Sequence, residues 1–465
     1  MMPDVLVIVL DTLRADRMSC YGHVRPTTPG IDRFADEATV FERAFSTSAW
    51  TPPAHASMFT GLWPSRHGVV ANYHLPAGLP TIAEAMHERG YATLGVANLY
   101  PLSPDRGFDR GFERYASPFA LPRIRLPLLG SRSYELTPEF VSYALRRALL
   151  GYDPSWRNVL KLERWLAAEK GPWFAFINIH AVHGPYRPPR GFAGRFTSAE
   201  LLAAADPEVT ARLTRGGGYA FMTGALQASA ADWDVMRARY DEELLYADML
   251  VVRLLDSLRR HGRYQDALII ITSDHGEHFG EHGLAYHGFG LDDGLLHVPL
   301  IVRWPGGRPA RQRDDRLASL VDLPPTIAEI TGATMPADLD GRSLWGTGEG
   351  HPEVFAEFHP SALSARARQA LPGGAGLPAR FQRALQAVRT GRFKHVRGSD
   401  GSHELFDLAL DPGEEHDIAA EQPDVVAELG ALIDERLVPP DRWPREQVED
   451  HDEHVASHLR NLGYL

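Results

Sequence analysis

Two carboxylates and an imidazole directly follow short apolar runs of the sequence. Asp11 comes after the run at residues 5–10, and Asp274 and His275 come after the run at residues 268–272. Continuous apolar runs of this kind are typical of parallel strands that are buried on both faces. Side chains that follow such strands meet at the carboxyl edge of the sheet, where α/β folds bind their ligands. These residues are therefore candidate ligands of one metal ion, although an aspartate after a strand is often only a turn former.

A hydroxyl group begins a second motif, which runs from Trp50 to Gly61. Thr51 stands where a helix N-cap is expected, Pro52 fits the first helical position, and Gly61 is a typical helix end. The same pattern describes a capped helix without any chemistry. A hydroxyl at a helix N-terminus, however, also faces the positive end of the helix dipole and unpaired N–H groups, which stabilise an alkoxide and bind phosphate or sulfate oxygens. Contact with a metal ion would lower the pKa of that hydroxyl further.

The elements that must position these groups alternate between strands and helices. Apolar runs at residues 5–10, 91–97, 173–179, 267–272 and 298–303 predict buried strands. Helical patterns lie between them, notably over residues 81–89 and 240–261, each followed by glycine. This alternation predicts an α/β fold with a doubly wound, mostly parallel sheet sandwiched by helices.

The places where this alternation of strands and helices is interrupted suggest how the domains are organised. We expect a catalytic domain over residues 1–345, with insertions rich in Pro, Arg, Ala and Gly near 118–160 and 187–238. A change of composition predicts a small C-terminal α+β subdomain over 346–440, with strands near 393–396 and 404–408 and a helix near 423–437. A tail helix is expected over 441–465.

Composition and charge exclude some partners and favour others. The formal net charge is -12 without a long basic run, so nucleic acid is not an expected partner. Cys20 is the only cysteine, which rules out an intramolecular disulfide and fits a reducing compartment. No apolar stretch reaches the roughly 18 residues of a membrane span. We therefore predict a soluble, cytoplasmic protein that binds a small anionic ester, with its oligomeric state left open.

Several motifs occur together in an order and spacing that resemble the sulfatase family of the alkaline phosphatase superfamily. The resemblance covers nearly the whole chain except the two insertions, and it implies an alkaline phosphatase-like fold. It rests on Asp11, Cys20-Tyr21-Gly22, Thr51-x-Pro53-x-His55, Ser273-Asp274-His275-Gly276-Glu277, His297-Val298-Pro299, Gly391-Arg392-Phe393-Lys394, Glu404-Leu405-Phe406-Asp407-Leu408 and Asp411-Pro412-Gly413-Glu414.

The sequence departs from the sulfatase pattern at positions that matter for chemistry. Thr51 stands where sulfatases have the Cys or Ser that is oxidised to formylglycine, and oxidation of a threonine would give a ketone instead of an aldehyde. His55 replaces an arginine, His275 replaces an asparagine, and Thr12 replaces a second aspartate. Asn98 lies where sulfatases carry a paired Lys and His.

These departures resemble the phosphoryl-transfer relatives of sulfatases. Bacterial phosphoethanolamine transferases and nucleotide phosphodiesterases use a Thr nucleophile with an Asp-His metal pair. The loop from Ser273 to Gly288 is similar to that of the transferases, including His287, and His183 matches a His that contacts substrate or a second metal. The chain lacks the membrane helices of those transferases, so a lipid acceptor is not expected.

The sequence thus predicts a metal-dependent hydrolase, or a transferase, of phosphate or sulfate esters, with phosphodiesters or phosphonate esters favoured. One divalent ion is expected, Zn²⁺ or Mn²⁺ before Mg²⁺ or Ca²⁺, because one ligand is an imidazole. A sulfatase without formylglycine and a non-catalytic anion-binding protein are the alternatives. The expected site comprises Thr51 and His55 as catalytic residues, Asp11, Thr51, Asp274 and His275 as metal ligands, and His183, His287 and Asn98 as substrate-binding residues or second-metal ligands.

Overall fold

The apolar runs of the sequence form the inner strands of a large sheet. The structure is a computed structural model, which describes residues 2–70, 74–118, 124–127, 133–136, 155–307, 313–346, 348–360 and 378–443. Its strands are β1 (Val5–Leu10), β2 (Thr39–Phe45), β3 (Ala92–Val96), β4 (Arg114–Ala116), β5 (Ile124–Pro127), β6 (Ser133–Leu136), β7 (Trp173–Ile179), β8 (Leu268–Thr272), β9 (His278–Phe279), β10 (Ala285–Tyr286), β11 (Leu300–Arg303), β12 (Arg313–Ser319), β13 (Val354–Phe358), β14 (Leu385–Arg389), β15 (Phe393–Gly398) and β16 (His403–Asp407).

Helices connect these strands and cover the sheet. They are α1 (Pro29–Ala35), α2 (Thr51–Thr60), α3 (Pro64–His67), α4 (Ile82–Glu88), α5 (Trp156–Ala168), α6 (Ala199–Ala204), α7 (Pro207–Thr214), α8 (Gly218–Met222), α9 (Ala230–Arg260), α10 (Asp293–Leu296), α11 (Leu323–Thr331) and α12 (Pro423–Arg436). The helix predicted over residues 240–261 begins ten residues earlier, because Ser229 and Asp232 form a capping box there. Within the described parts of the chain, none of the helices combines the length and apolar character that crossing a bilayer requires.

The main sheet has eight strands in the order β12-β2-β11-β8-β1-β7-β3-β4. β1 lies at its centre and pairs in parallel with both β7 and β8. β11 runs antiparallel to β8 and to β2, which makes the sheet mixed but mostly parallel. This topology confirms the predicted fold class.

The central strand is apolar throughout because helices cover both faces of the sheet. Leu6, Ile8 and Leu10 pack in one core cluster, which includes residues of α9, whereas the alternate residues of β1 pack in a second cluster with residues of α2, α4 and α11. Burial of one such side chain stabilises the fold by roughly 1.5–3 kcal/mol. The two clusters hold the sheet rigid, so the polar residues at its carboxyl edge keep fixed positions.

A smaller antiparallel sheet, in the order β13-β14-β15-β16, follows the main sheet in the chain. α12 packs on it, since Leu429 and Ile433 share a core cluster with Val388 and Leu405. The predicted division at residue 345 stays a prediction. Most of the first insertion, and the tail helix beyond residue 443, lie outside the described residues.

Candidate active site

The carboxyl ends of three neighbouring strands converge on one group of buried polar side chains. Asp11 directly follows β1, and its N–H donates to the carbonyl of Ile179 at 3.0 Å, which prolongs the parallel ladder with β7. Asp274 and His275 follow β8 on the other side of β1. The structure therefore brings together three side chains that are 264 residues apart at most in the sequence.

Asp11, Asp274 and His275 are arranged as a metal site would require. One ligand atom of each lies within 4.8 Å of those of the other two, and all three residues are fully buried. Asp274 Oδ1 accepts the N–H groups of Thr12 and His275 at 3.2 and 3.0 Å, while its Oδ2 is buried and accepts no hydrogen bond from the described residues. Two buried carboxylates at such short range need a neutralising positive charge. The donor set fits a divalent cation, which these residues would hold.

Thr51 does not cap its helix as the sequence suggested. α2 begins at Thr51 itself, Trp50 takes the cap position, and no side chain caps the helix. The Thr51 hydroxyl instead lies 3.1 Å from Nε2 of His275. The expected N-cap role is therefore wrong, because a partner distant in sequence engages the hydroxyl that a local cap would have used.

The environment of His275 keeps its Nε2 available to Thr51 or to a metal. Its Nδ1 donates to the carbonyl of Gly276 at 3.0 Å, which places the proton on Nδ1 of the neutral ring. Burial lowers the pKa of His275 to about 4, although the neighbouring Asp274 opposes the shift. His275 is thus a neutral imidazole at physiological pH, the form that ligates metals.

His55 lies one helical turn after Thr51 and braces the start of α2. It is fully buried, and its Nδ1 donates to the carbonyl of Thr51 at 2.9 Å. The same Nδ1 lies 3.6 Å from Oδ2 of Asp274. Burial lowers the pKa of His55, which is therefore neutral. Because its bond is to the backbone of Thr51, His55 orients the nucleophile candidate and leaves the hydroxyl unobstructed.

Asn178 belongs to the site although the sequence did not single it out. This residue of β7 is fully buried, and its amide Nδ2 lies 3.3 Å from Oδ2 of Asp11 and 3.4 Å from Nε2 of His55. It thereby links a candidate metal ligand to the residue that braces Thr51. The available signal is a lone amide within an otherwise apolar strand, a pattern that is also typical of core.

His183 and His287 lie beside His275. The ring centroid of His287 is 4.5 Å from that of His275 and 5.1 Å from that of His183. Nδ1 of His287 is 2.8 Å from Oε1 of Glu277, whose Oε2 accepts the hydroxyl of Tyr186 at 2.8 Å. Glu277 thus orients His287, and Tyr186 is a supporting residue that sequence analysis missed.

His183 is held by its own turn. Its Nδ1 donates to the carbonyl of Gly184 at 2.6 Å, and its ring stacks on that of His180 with centroids 4.3 Å apart. Burial, followed by the nearby imidazoles of His180 and His287, holds the pKa of His183 well below its usual value. An arriving anion would reverse part of this effect, so His183 suits the recognition of a negatively charged group.

Asn98 lies at the same edge of the sheet but farther from Asp11. It follows β3, which pairs with β7 and not with β1. The side chain is buried, and neither atom of its amide has a hydrogen-bond partner among the described residues. The amide of Asn98 is thus available to a ligand. No hydrogen bond among the described residues connects it to Thr51.

Comparison with solved structures identifies the fold. The phosphonate monoester hydrolase of Agrobacterium radiobacter superimposes with a TM-score of 0.69 over 93% of this chain and 95% of its own, at 24% identity. At this identity the likeness establishes the fold alone. The two proteins therefore share the α/β architecture described above, a mostly parallel sheet covered by helices on both faces.

Sequence comparison then gives the family. The Sulfatase family model matches residues 3–333, so the chain belongs to the sulfatase family. It is 24% identical to Delta 4,5-hexuronate-2-O-sulfatase of Bacteroides thetaiotaomicron over 94% of this chain and 89% of that protein. It is 25% identical to human arylsulfatase A over 92% and 87%. The resemblance inferred from the motifs is confirmed, and the protein is an ester hydrolase of the sulfuric or phosphoric ester class.

Proposed function

We propose that the protein hydrolyses phosphodiesters or phosphonate esters in preference to sulfate esters, with Thr51 as the nucleophile. The observation that carries this proposal is the position of the Thr51 hydroxyl. It begins α2 and lies 3.1 Å from Nε2 of His275, whose ligand atoms group with those of the buried Asp11 and Asp274.

A divalent metal ion would be held by Asp11, Asp274, His275 and the Thr51 hydroxyl. The Thr51 hydroxyl and Nε2 of His275 lie 3.1 Å apart, so both would be available to the same ion. When bound, the ion supplies Lewis acidity, which lowers the pKa of the hydroxyl and withdraws charge from the ester. The imidazole in this set favours Zn²⁺ or Mn²⁺ over Ca²⁺.

The side chains of the site carry out the remaining catalytic steps. The Thr51 hydroxyl loses its proton to solvent, and its Oγ1 attacks the phosphorus or sulfur atom. The bond to the ester oxygen breaks, this oxygen takes up a proton and leaves as the alcohol, and the group stays covalently on Thr51 until water releases it. His55 fixes the backbone of Thr51 during both steps. His183 and His287, which lie beside His275, bind non-bridging oxygens of the ester or protonate the leaving group.

The choice of phosphoryl over sulfuryl chemistry rests on Thr51. A threonine cannot give the aldehyde on which formylglycine chemistry depends, whereas its hydroxyl can attack phosphorus directly. The name of the structural neighbour, a phosphonate monoester hydrolase, supports the same choice. A sulfatase that uses unmodified Thr51 is the second candidate, favoured by the names of the relatives in sequence.

A substrate panel tests the proposal. We expect turnover of bis-p-nitrophenyl phosphate and of p-nitrophenyl phenylphosphonate to exceed that of p-nitrophenyl sulfate, with p-nitrophenyl phosphate as the monoester reference. Each ester is assayed with Zn²⁺, Mn²⁺, Mg²⁺ and Ca²⁺, and Thr51→Ala reveals any contaminating phosphatase. Preference for the sulfate under every metal would overturn the phosphoryl assignment in favour of the second candidate.

We also propose a cytoplasmic location, which the lone Cys20 supports because it needs no oxidising compartment. Fractionation of the source cells tests it, and recovery of the protein outside the cytoplasm would contradict it.

A further inference from the structure

A cavity lies in the insertion that follows the candidate site residue His183. It has a volume of about 540 Å³ and is bounded by residues of α6, α7 and α9. Three arginines line it, namely Arg187, Arg215 and Arg239. The rest of its wall is largely apolar and includes Leu202 and Pro207. Three guanidinium groups around one cavity stand out in a chain of net charge -12.

Among the described residues, no carboxylate forms an ion pair with these arginines. Within the described parts of the chain, neither Arg187 nor Arg215 forms an ion pair, and the side chain of Arg239 donates only to the hydroxyl of Thr214, at 2.9 Å. The guanidinium groups therefore keep most of their hydrogen-bonding capacity for another molecule, since each carries five N–H donors.

Two acidic residues of α9 form hydrogen bonds with the backbone of the insertion. Oε1 of Glu242 accepts the backbone N–H groups of Phe196 and Thr197 at 2.9 and 2.8 Å. Oε1 of Glu243 accepts the backbone N–H of Arg187. These carboxylates hold the insertion in place through its backbone. Glu242 also favours the charged form of Arg239, but it makes no ion-pair contact with this arginine among the described residues.

Arg239 shows that this arrangement has an electrostatic cost. Its side chain is half-buried, and burial lowers the pKa of its guanidinium. The nearby charge of Glu242 opposes this shift but is outweighed by burial, so a bound anion would offset the remaining cost of desolvation.

We propose that this cavity is a binding site for an anionic group, a carboxylate, sulfate or phosphate, carried on a small organic molecule. Arginine recognises such planar or tetrahedral anions through paired N–H groups, and the apolar wall accommodates the organic body. The cavity is therefore an anion site distinct from the one at Thr51.

The cavity shares structural supports with the active site. Arg187 directly follows Tyr186, which binds Glu277 and through it His287. On the other wall, the carbonyl of Leu213 in α7 accepts the hydroxyl of Tyr286, the residue before His287. The bound anion is thus either a second charged group of the ester substrate or a separate effector. The first of these sources rests on the proposed function.

Calorimetric titration with phthalate tests the site without requiring turnover. Phthalate carries carboxylates on an apolar ring, and its dimethyl ester is a neutral control of similar shape. At low ionic strength we expect the wild-type protein to bind phthalate and not the ester. The double variant Arg187→Gln/Arg215→Gln should bind it about tenfold or more weakly, since charge-assisted hydrogen bonds are lost.

The matched control is Arg212→Gln, because Arg212 is an exposed arginine of α7 that does not line the cavity. It should bind phthalate as the wild type does. Equal affinity of the double variant and the wild type, or no binding to the wild type, would overturn the proposal. This outcome is independent of the substrate panel, so failure of the anion site and failure of the proposed function are separate results.

Kinetics separate the two sources of the anion. Turnover of p-nitrophenyl esters is measured with and without phthalate. An increase in KM alone indicates that the substrate reaches the cavity, whereas a change in kcat indicates that the anion is an effector. Either effect should be lost in the double variant and kept in Arg212→Gln. An effect that persists in the double variant would place phthalate at Thr51 and contradict the proposal.

Discussion

Each imidazole around Thr51 has one ring nitrogen committed to an oxygen atom of the protein. Nδ1 of His275 donates to Gly276 and Nδ1 of His55 donates to Thr51, in both cases to a backbone carbonyl. Nδ1 of His287 meets the carboxylate of Glu277 instead. Fixing Nδ1 in this way fixes the tautomer, so that Nε2 is the atom that each ring can offer to a metal, a neighbouring residue or a substrate.

The hydroxyl of Thr51 is the group on which the mechanism depends. Thr51→Ala should lower kcat/KM by several orders of magnitude, whereas Thr51→Ser should keep appreciable activity. Because Thr51 caps nothing, its loss should cost less stability than the roughly 1 kcal/mol of a lost N-cap. Mass spectrometry of a quenched reaction should show the added phosphoryl group on the peptide that contains Thr51. Near-normal turnover by Thr51→Ala would instead indicate attack by water.

Asp274 is expected to serve the metal and not the core. Asp274→Ala should abolish metal retention and turnover while the protein stays folded, although it loses the hydrogen bonds that Oδ1 accepts from two backbone N–H groups and is therefore somewhat less stable. Elemental analysis after dialysis measures the retained metal. Asp266→Ala is the control, because Asp266 is exposed near the opposite end of the same strand. Full metal occupancy in Asp274→Ala would remove this residue from the ligand set.

Asn178 is expected to position Asp11 and His55 without touching the substrate. Asn178→Ala should weaken metal binding by about tenfold, the lower range for residues that support metal ligands. Direct titration of the metal-free protein with Zn²⁺ or Mn²⁺ measures this effect apart from activity. A purely structural role would lower thermal stability and leave the metal Kd of the folded fraction unchanged.

The structure shows which site residues the sequence could locate. The grouping of Asp11, Asp274 and His275 could be predicted, because strand ends in a parallel sheet meet at one edge. Asn178 could not, since an amide inside an apolar run looks like core until its neighbours are known. The orientation of the Thr51 side chain could not be predicted either, because its partner His275 is 224 residues away in the sequence.

At the scale of elements, inner strands were predictable and outer strands were not. β1, β7 and β8 are continuous apolar runs, and their predicted bounds differ by at most one residue from the observed ones. The strands at the sheet's margins, β2, β4 and β12, carry charged residues or are very short. Their pattern is weak because only part of each strand is buried.

The packing of α1 against α9 gives a prediction at this scale. A Cβ at Gly30 would overlap with Cγ2 of Val252 and approach the carboxylate of Asp248, which binds the N–H groups of Gly30 and Ile31. Gly30→Ala should therefore destabilise the fold by roughly 1–3 kcal/mol, the usual cost of overpacking.

Urea denaturation measures that change, and kcat of the folded protein should stay unaltered because α1 lies away from Thr51 in the fold. Gly78→Ala is the matched control, since a Cβ there has nothing within 4 Å. Equal denaturation midpoints for Gly30→Ala and Gly78→Ala would show that α1 and α9 accommodate the added Cβ without loss of stability.

At the scale of the whole molecule, the small sheet supports the loop that carries His275 and His287. One core cluster contains Phe45 and Leu296 from the main sheet region together with Val388 and Leu405 from the small sheet. The buried Lys394 joins them electrostatically, 3.0 Å from Asp293 in α10 and 2.6 Å from Glu414. The sequence predicted two strands of the small sheet, but the contact between Lys394 and Asp293 joins residues 101 apart and leaves no local pattern.

Glu357 of β13 makes this assembly sensitive to pH. It is fully buried, with Oε2 accepting the N–H of Ser65 at 2.7 Å and Oε1 accepting the amide of Gln386 at 2.9 Å. Burial raises the pKa of its carboxyl from 4.5 to about 7. The folded protein thus holds a proton that the unfolded chain releases, and the free energy of unfolding falls as the pH rises from 4.5 to about 7.

The variant Glu357→Gln isolates this contribution, because an amide does not ionise. The stability of the wild type relative to Glu357→Gln should decrease by about 3 kcal/mol between roughly pH 4.5 and pH 8, with no further change above. Urea denaturation of both proteins across this range measures the difference, in which the other titrating groups cancel. A difference that is constant with pH would show that Glu357 ionises in the folded protein as it does in the unfolded chain, and that β13 joins the two sheets without a proton.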